Sequence, residues 1–251
     1  ITLNGSSSIT HEKGDTYTDA GATALDLRNI DVTNLIVTTG SVSENVVGNY
    51  TITFNITDVC GNVGIPVSRT INVIDTTPPE ITILGTNPIN IERGTIYVDG
   101  GASATDFPNE NISSRIQTSY LNGNILDVNT IGTYYLNYNV SDLQNNAAQQ
   151  QTRTINVVDT TKPTIILIGD ASMSVQRGID IYVEQGANVI DSLEVGDENI
   201  STNLIITGDV CGNVVGTYEI SYNAVDVGNN AADTVYRYVH VFDDQKPVIT
   251  L

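Results

Sequence analysis

An all-β chain built as three β-sandwiches in tandem is predicted by three observations. Asp75, Asp159 and Asp243 recur at one constant spacing that also links Pro79, Pro163 and Pro247, and Arg69, Arg153 and Arg237. A fixed period of this kind marks an array of like domains. Each period contains a stretch in which apolar and polar residues alternate, as in Tyr50-Thr-Ile-Thr-Phe-Asn-Ile-Thr-Asp58, the period-two signature of a half-buried strand. No stretch of useful length shows helical periodicity, and with no Trp and three Phe the core is left to Val, Ile, Leu and Tyr, which favour strands.

The elements follow in order within each period. A short opening strand covers Ile1 to Leu3, Ile81 to Leu84 or Ile165 to Ile168. A second piece lies near Ile9, Ile91 or Val175, followed by a turn at Gly14, Gly94 or Gly178. A strand through Tyr17, Tyr97 or Tyr182 ends near Asp26, Asp106 or Asp191, and another runs at Leu35 to Thr38, Arg115 to Thr118 or Leu204 to Thr207. A short strand precedes the Gly-x-Tyr at Gly48, Gly132 or Gly216, where the strongest strand begins. Its inward column is Tyr50, Ile52, Phe54 and Ile56, then Tyr134, Leu136, Tyr138 and Val140, then Tyr218, Ile220, Tyr222 and Ala224. A turn rich in Asp, Asn and Gly follows (DVCGN, DLQNN, DVGNN), and a last strand passes through Arg69, Arg153 or Arg237. About seven short strands with turn signals between them predict an Ig-like sandwich, with the Gly-x-Tyr tyrosine at the tyrosine-corner position.

The predicted domains are 1–79, 80–163 and 164–247, with 248–251 opening a fourth repeat. The linkers VIDTTPPEI, VVDTTKPTI and VFDDQKPVI leave about four residues between strands, and Pro fixes its own φ while holding its predecessor extended. The sequence therefore predicts an extended rod rather than flexibly joined beads.

A net charge of −19 with only 10 Lys and Arg excludes a binder of nucleic-acid backbones, which needs cations to neutralise phosphates, and the same sign disfavours anionic lipid surfaces. No run reaches the roughly 20 apolar residues of a membrane span. Cys60 and Cys211 occupy non-equivalent repeat positions and read as free thiols, with an intermolecular bridge as the alternative. Triplets of the N-x-S/T type begin at Asn4, Asn55, Asn111, Asn139 and Asn199. They matter only where the source glycosylates.

The ITLxG opening, the xxGxxYxDxGAxAxD segment, the GxYxxxYxxxDxxGN hairpin and the VxDTTxP linker resemble the bacterial Ig-like domain family named after an insecticidal crystal protein. They are more distantly similar to the hyalin-type repeat. The resemblance covers essentially the whole chain and implies extracellular tandem sandwiches in surface proteins, adhesins, secreted enzymes and toxins, with no reaction carried by the domain itself. An acidic turn of the family is altered here to LDLRNID, TDFPNEN and IDSLEVGDEN.

No enzyme signature is present: His11 and His240 are single, and HExxH, GxSxG, paired CxxC and phosphate-loop patterns are missing. The site candidates come from topology. Glu12, Asp75, Asp106 and Asp142 are expected to converge where the first domain meets the second, and Glu92, Asp159, Asp191 and Asp226 where the second meets the third. Hard oxygen donors on irregular backbone suit Ca²⁺, which takes 6 to 8 oxygens. Two other readings stay open: the aspartates stabilise turns, or Lys13, Arg93 and Arg177, which recur beside the turn glycine, pair with them in place of a metal.

The expected function is a structural stalk or filament segment of an extracellular or cell- or particle-surface protein, such as an adhesin or surface appendage. Its partners would be neighbouring repeats, a lateral copy or a surface receptor. The alternatives are a glycan- or protein-binding module, for which Tyr120, Tyr135 and Tyr236 are the hints, and a spacer in a secreted enzyme or toxin.

Overall fold

A computed structural model describes residues 1–192 and 198–249. Two calls therefore lie partly outside the described residues: the turn within IDSLEVGDEN and the start of a fourth repeat at 248–251. Two compact units are present. One comprises Ile1–Gly85, Gly100–Ser119 and Asn137–Thr152, the other Thr86–Asp99, Tyr120–Leu136 and Arg153–Leu251.

In the first repeat, β1 (Thr2–Leu3) pairs antiparallel with β3 (Ala22–Thr23). β2 (Ser8–Glu12), β4 (Ile36–Thr39), β5 (Gly48–Ile56) and β6 (Val67–Ile74) form a second sheet in the order β2-β6-β5-β4. β2 runs parallel to β6, with Glu12 opposite Ile74, and β5 is antiparallel to β6, with Tyr50 opposite Ile71. The chain leaves one sheet for the other at Gly5, whose φ of 87° is left-handed. Gly85 and Gly169 repeat this at 80° and 81°. Only glycine adopts that conformation without a Cβ penalty, which explains the ITLxG signature.

The second repeat contains β7 (Glu80–Ile83), β8 (Ile89–Glu92), β9 (Ala102–Asp106), β10 (Glu110–Asn111), β11 (Gln117–Tyr120), β12 (Gly132–Asn139) and β13 (Gln151–Val158), in sheets β10-β9-β7 and β11-β12-β13-β8. The third contains β14 (Thr164–Leu167), β15 (Ser172–Gln176), β16 (Ala187–Asp191), β17 (Glu198–Asn199), β18 (Ile205–Thr207), β19 (Gly216–Asn223) and β20 (Val235–Phe242), in sheets β14-β16-β17 and β15-β20-β19-β18. The architecture is thus all-β, with three Ig-like sheet pairs.

The alternating strands bury most of their expected columns, with Tyr50, Ile56 and Tyr218 half-buried. Ile52 and Phe54 join Ile71 and Val73 in the first core, and Ile220, Tyr222 and Ala224 join Val239 and Val241 in the third. Tyr134, Leu136, Tyr138 and Val140 are all buried. Two elements differ from expectation. Tyr17, Tyr97 and Tyr182 precede the strand they were expected to occupy, and the segment before each Gly-x-Tyr is not a strand. In the first repeat Glu44, from the segment before Gly48, accepts from the Tyr17 N–H at 2.6 Å, and the Tyr17 hydroxyl donates to Asp19 at 2.7 Å.

Candidate functional site: carboxylate triads at the linkers

Two buried clusters stand out. Asp75, Asp106 and Asp142 form one, and Asp159, Asp191 and Asp226 the other; within each, a carboxylate oxygen of every residue lies within 4.8 Å of the other two. Three local devices place them. The linker aspartate follows directly on the last strand of one repeat. Asp106 and Asp191 end β9 and β16 of the next repeat. Asp142 and Asp226 head the hairpin turn, where Asp142 Oδ1 accepts from the N–H groups of Gln144 at 2.9 Å and Asn146 at 2.7 Å. Asp58, at the same place in the first repeat, accepts from Cys60 and Asn62 in the same way, so the turn-stabilising reading of these aspartates holds at all three.

The turn asparagine then reaches the linker. The Asn146 side-chain amide donates to Asp142 Oδ2 at 2.6 Å and to the Asp75 carbonyl at 2.9 Å. Asn230 repeats this on Asp226 at 3.0 Å and the Asp159 carbonyl at 3.0 Å. Close packing accompanies these bonds. A Cβ on Gly228 would lie 2.7 Å from the Asp159 carbonyl oxygen, and one on Gly14 would lie 2.5 Å from the Phe107 ring.

Each triad faces a basic side chain from the turn after the second strand of the preceding repeat. Lys13 Nζ sits 2.9 Å from Asp75, 3.2 Å from Asp106 and 3.4 Å from Glu110. Arg93 lies 3.2 Å from Asp191, 2.5 Å from Glu198 and 3.7 Å from Asp159. Burial alone would lower the Lys13 ammonium, yet its bonds to Asp75 and Asp106 hold it well above the ordinary range. Burial likewise opposes the charged form of Arg93, and Glu198, Asp159 and Asp191 more than offset it. Asp191 is pushed up to about 6, first by burial and then by the charges of Asp159 and Asp226. The pairing of basic residues with junction acids therefore holds for Lys13 and Arg93, whereas Arg177 pairs with Asp243, at 3.0 Å with both side chains partly exposed.

Glu12 and Glu92 are elsewhere than expected. Parallel pairing of β2 with β6 sets Glu12 beside the linker, where it accepts from the Thr76 N–H at 2.7 Å and the hydroxyls of Thr76 and Thr77 at 3.0 and 3.1 Å. Glu92 does the same with Thr160 and Thr161. Both are linker clamps. In the third repeat Gln176 replaces the glutamate and donates to Asp244, which a glutamate there would repel.

Sequence reasoning missed a second polar feature. Arg69, Arg153 and Arg237 are at most 1% exposed. Arg69 pairs with Asp19, Arg153 with Asp99 at 2.8 Å and Arg237 with Glu184 at 2.6 Å. Carbonyls of the sheet-switching segment take further N–H groups: Arg69 Nε donates to Ser6 at 2.9 Å and Arg237 Nε to Asp170 at 3.1 Å. Such satisfaction is what a buried guanidinium requires. The signal was available, since Tyr-x-Asp or Tyr-x-Glu recurs in step with the arginine.

His11 Nε2 contacts the Asp15 carbonyl, and His240 Nδ1 the exposed Thr217 hydroxyl. Cys60 and Cys211 are exposed and unbridged. No helix among the described residues is long and apolar enough to cross a membrane.

The sheet pairs, Pro-bearing linkers and repeated Gly-x-Tyr corners define a tandem Ig-like repeat protein. The chain belongs to the bacterial surface protein Ig-like domain family, whose model matches residues 1–73, 81–157 and 165–241. Repeats of this kind are generally non-catalytic. An uncharacterized 81.3 kDa protein of Acholeplasma phage L2 is 27% identical over 201 residues, which is 78% of this chain and 25% of that protein. The serine-rich adhesin for platelets of Staphylococcus aureus strain N315 is 27% identical over 248 residues, 95% of this chain and 10% of the adhesin. The chain thus spans a quarter or less of these relatives. Among solved structures, a lipoprotein of Bacteroides thetaiotaomicron is 27% identical over 34% of this chain and 40% of its own, with a TM-score of 0.29. The I67–I69 fragment of titin is 13% identical over 95% and 96%, with a TM-score of 0.32.

Proposed function

We propose that the segment is a structural stalk or filament element of a protein displayed outside the cell or on a particle surface, its repeats bounded at 1–79, 80–163 and 164–247. One observation carries this reading: each of the first two linkers is held from both sides. Glu12 or Glu92 grips the linker threonines from the preceding repeat, while Asn146 or Asn230 grips the linker aspartate carbonyl from the following one. A connection bonded on both sides resists bending, and resistance to bending is the property a stalk needs. Membership of a surface-protein family and the likeness to an adhesin support the setting. Small-angle scattering tests it. Three sandwiches, each about two strand lengths of 17 to 20 Å, give a maximum dimension of roughly 120 Å; a compact profile overturns the reading.

A second reading, recognition of a glycan or protein receptor, is favoured by one departure from repeat symmetry. Tyr236 and Tyr238 stack on the surface of β20, with ring centroids 6.5 Å apart and planes at 24°, where the other repeats carry Ser68 and Thr70 or Thr152 and Thr154. Stacked exposed aromatics suit the apolar face of a sugar or an aromatic partner. Binding on a glycan array that disappears in the double alanine variant would support this reading; an unreactive array would remove it.

A further inference from the structure

Both triads hold more negative charge than their own cations balance. Asp75, Asp106 and Glu110 bond the ammonium of Lys13, and Asp159, Asp191 and Glu198 meet the guanidinium of Arg93, while Asp142 and Asp226 add a further carboxylate to each cluster. The shortfall is visible at individual atoms. Asp106 Oδ1, Asp191 Oδ1 and Asp159 Oδ2 are buried without a hydrogen-bond partner, on residues 3%, 0% and 8% exposed. A desolvated carboxylate oxygen without a donor is costly, and the same deficit appears in both clusters.

The donor set identifies what would satisfy it. All the side chains are carboxylates, with no His or Cys, which selects a hard cation over zinc or copper. Oxygens bound to one calcium ion at 2.3 to 2.6 Å can lie up to roughly 5 Å apart, which accommodates the 4.8 Å limit within each triad. Donors from a linker, a strand end and a turn suit the adaptable shell of calcium better than the strict octahedron of magnesium.

We propose that each triad is a binding site for a divalent cation of the calcium class, held by Asp75, Asp106 and Asp142 at one site and by Asp159, Asp191 and Asp226 at the other. Lys13 and Arg93 are competitors of the metal at these sites. The turn hydrogen bonds of Asp142 and Asp226 orient their carboxylates beforehand, so binding needs only movement of the basic side chain. This assignment is independent of the stalk reading.

Calorimetric calcium titration of the chelator-treated chain tests it, with far-ultraviolet circular dichroism as a check on fold. The expected result is two sites per chain with dissociation constants on the order of 10⁻⁴ to 10⁻³ M, the range of extracellular modules. Asp106→Asn and Asp191→Asn should each leave one site. Lys13→Gln removes a like charge a few ångströms from the ion and should tighten the first site by about tenfold or more, with Arg93→Gln acting likewise on the second. A role of the acids confined to Lys13 and Arg93 predicts the opposite: no saturable uptake by the wild type up to roughly 10 mM, ten times the weak end of that range, and no gain from either glutamine variant. That result overturns the proposal. The glutamine variants keep the test decisive even if an asparagine variant fails to fold.

Discussion

The hydroxyl of Tyr50 donates to the carbonyl of Val46, four residues upstream, at 2.8 Å. Tyr134 makes the same bond to Thr130 at 3.1 Å and Tyr218 to Val214 at 2.9 Å. In every repeat the corner leading into the long strand is tied by its own tyrosine. Replacing Tyr134 or Tyr218 with Phe should cost about 0.5–1.5 kcal/mol, the net value of one hydrogen bond, and urea denaturation should show a lower midpoint with an unchanged slope.

The buried arginines should be far more sensitive. Asp19→Asn or Glu184→Gln leaves a guanidinium in the sandwich without its counter-charge, and breaking one partner of a buried pair costs about 3–5 kcal/mol. Arg69→Met, which removes the charge and keeps the volume, should cost less than Asp19→Asn. Equilibrium unfolding of the three variants gives the order directly.

The same pair sets an acid limit. Burial would raise the Asp19 carboxyl, but hydrogen bonds from Tyr17, Arg69 and the Gly21 N–H bring it below its ordinary value; Glu184 is lowered through Tyr182, Tyr222 and Gly186, with the charge of Arg237. A depressed folded-state value means the stabilisation is present in full above the unfolded carboxylate range of about 4 and is lost as pH falls through the depressed value. Melting temperature should therefore decline below about pH 4, and Asp19→Asn should flatten part of that decline.

Removing the second linker clamp should register locally. Glu92→Ala deprives the Thr160 and Thr161 N–H groups of their acceptor, and a hydrogen bond to a charged group is worth about 1.5–3 kcal/mol. Amide hydrogen exchange at those two residues should accelerate by about tenfold or more, while β12 and β13 keep their protection.

Gly14 combines a left-handed φ of 83° with contact against Phe107. Gly14→Ala should destabilise the junction by roughly 1–3 kcal/mol through backbone strain as well as displace the ring, and the loss should appear as faster exchange at the Asn146 side-chain amide.

Much of this was legible in the sequence, for a physical reason. Repetition exposes what a single domain hides: a residue that returns at the same place three times, such as Gly5, Tyr50 or Asn62, marks a backbone or hydrogen-bonding requirement. The convergence of Asp75 with Asp106 and Asp142 followed from strand order alone. The place of Glu12 did not, because it depends on β2 crossing to pair in parallel with β6, and alternation cannot reveal which sheet a short strand joins. The burial of Arg69 was hidden by its charge, since a strand arginine reads as exposed until its partner Asp19, fifty positions upstream, is brought beside it.

The division of labour at the linkers bears on how such an array changes length. Glu92 and the Thr160-Thr161 pair it grips belong to one repeat, so copying that repeat copies clamp and target together, just as Gln176 is matched to Asp244. The basic residue and the acids it meets are instead shared between neighbours, and the second repeat carries both halves: Arg93 toward the repeat after it, Asp106 and Asp142 toward the repeat before. A unit with that arrangement can be duplicated or excised whole by recombination without any contact needing redesign, so the reach of the protein can evolve in steps of one repeat while its chemistry stays fixed.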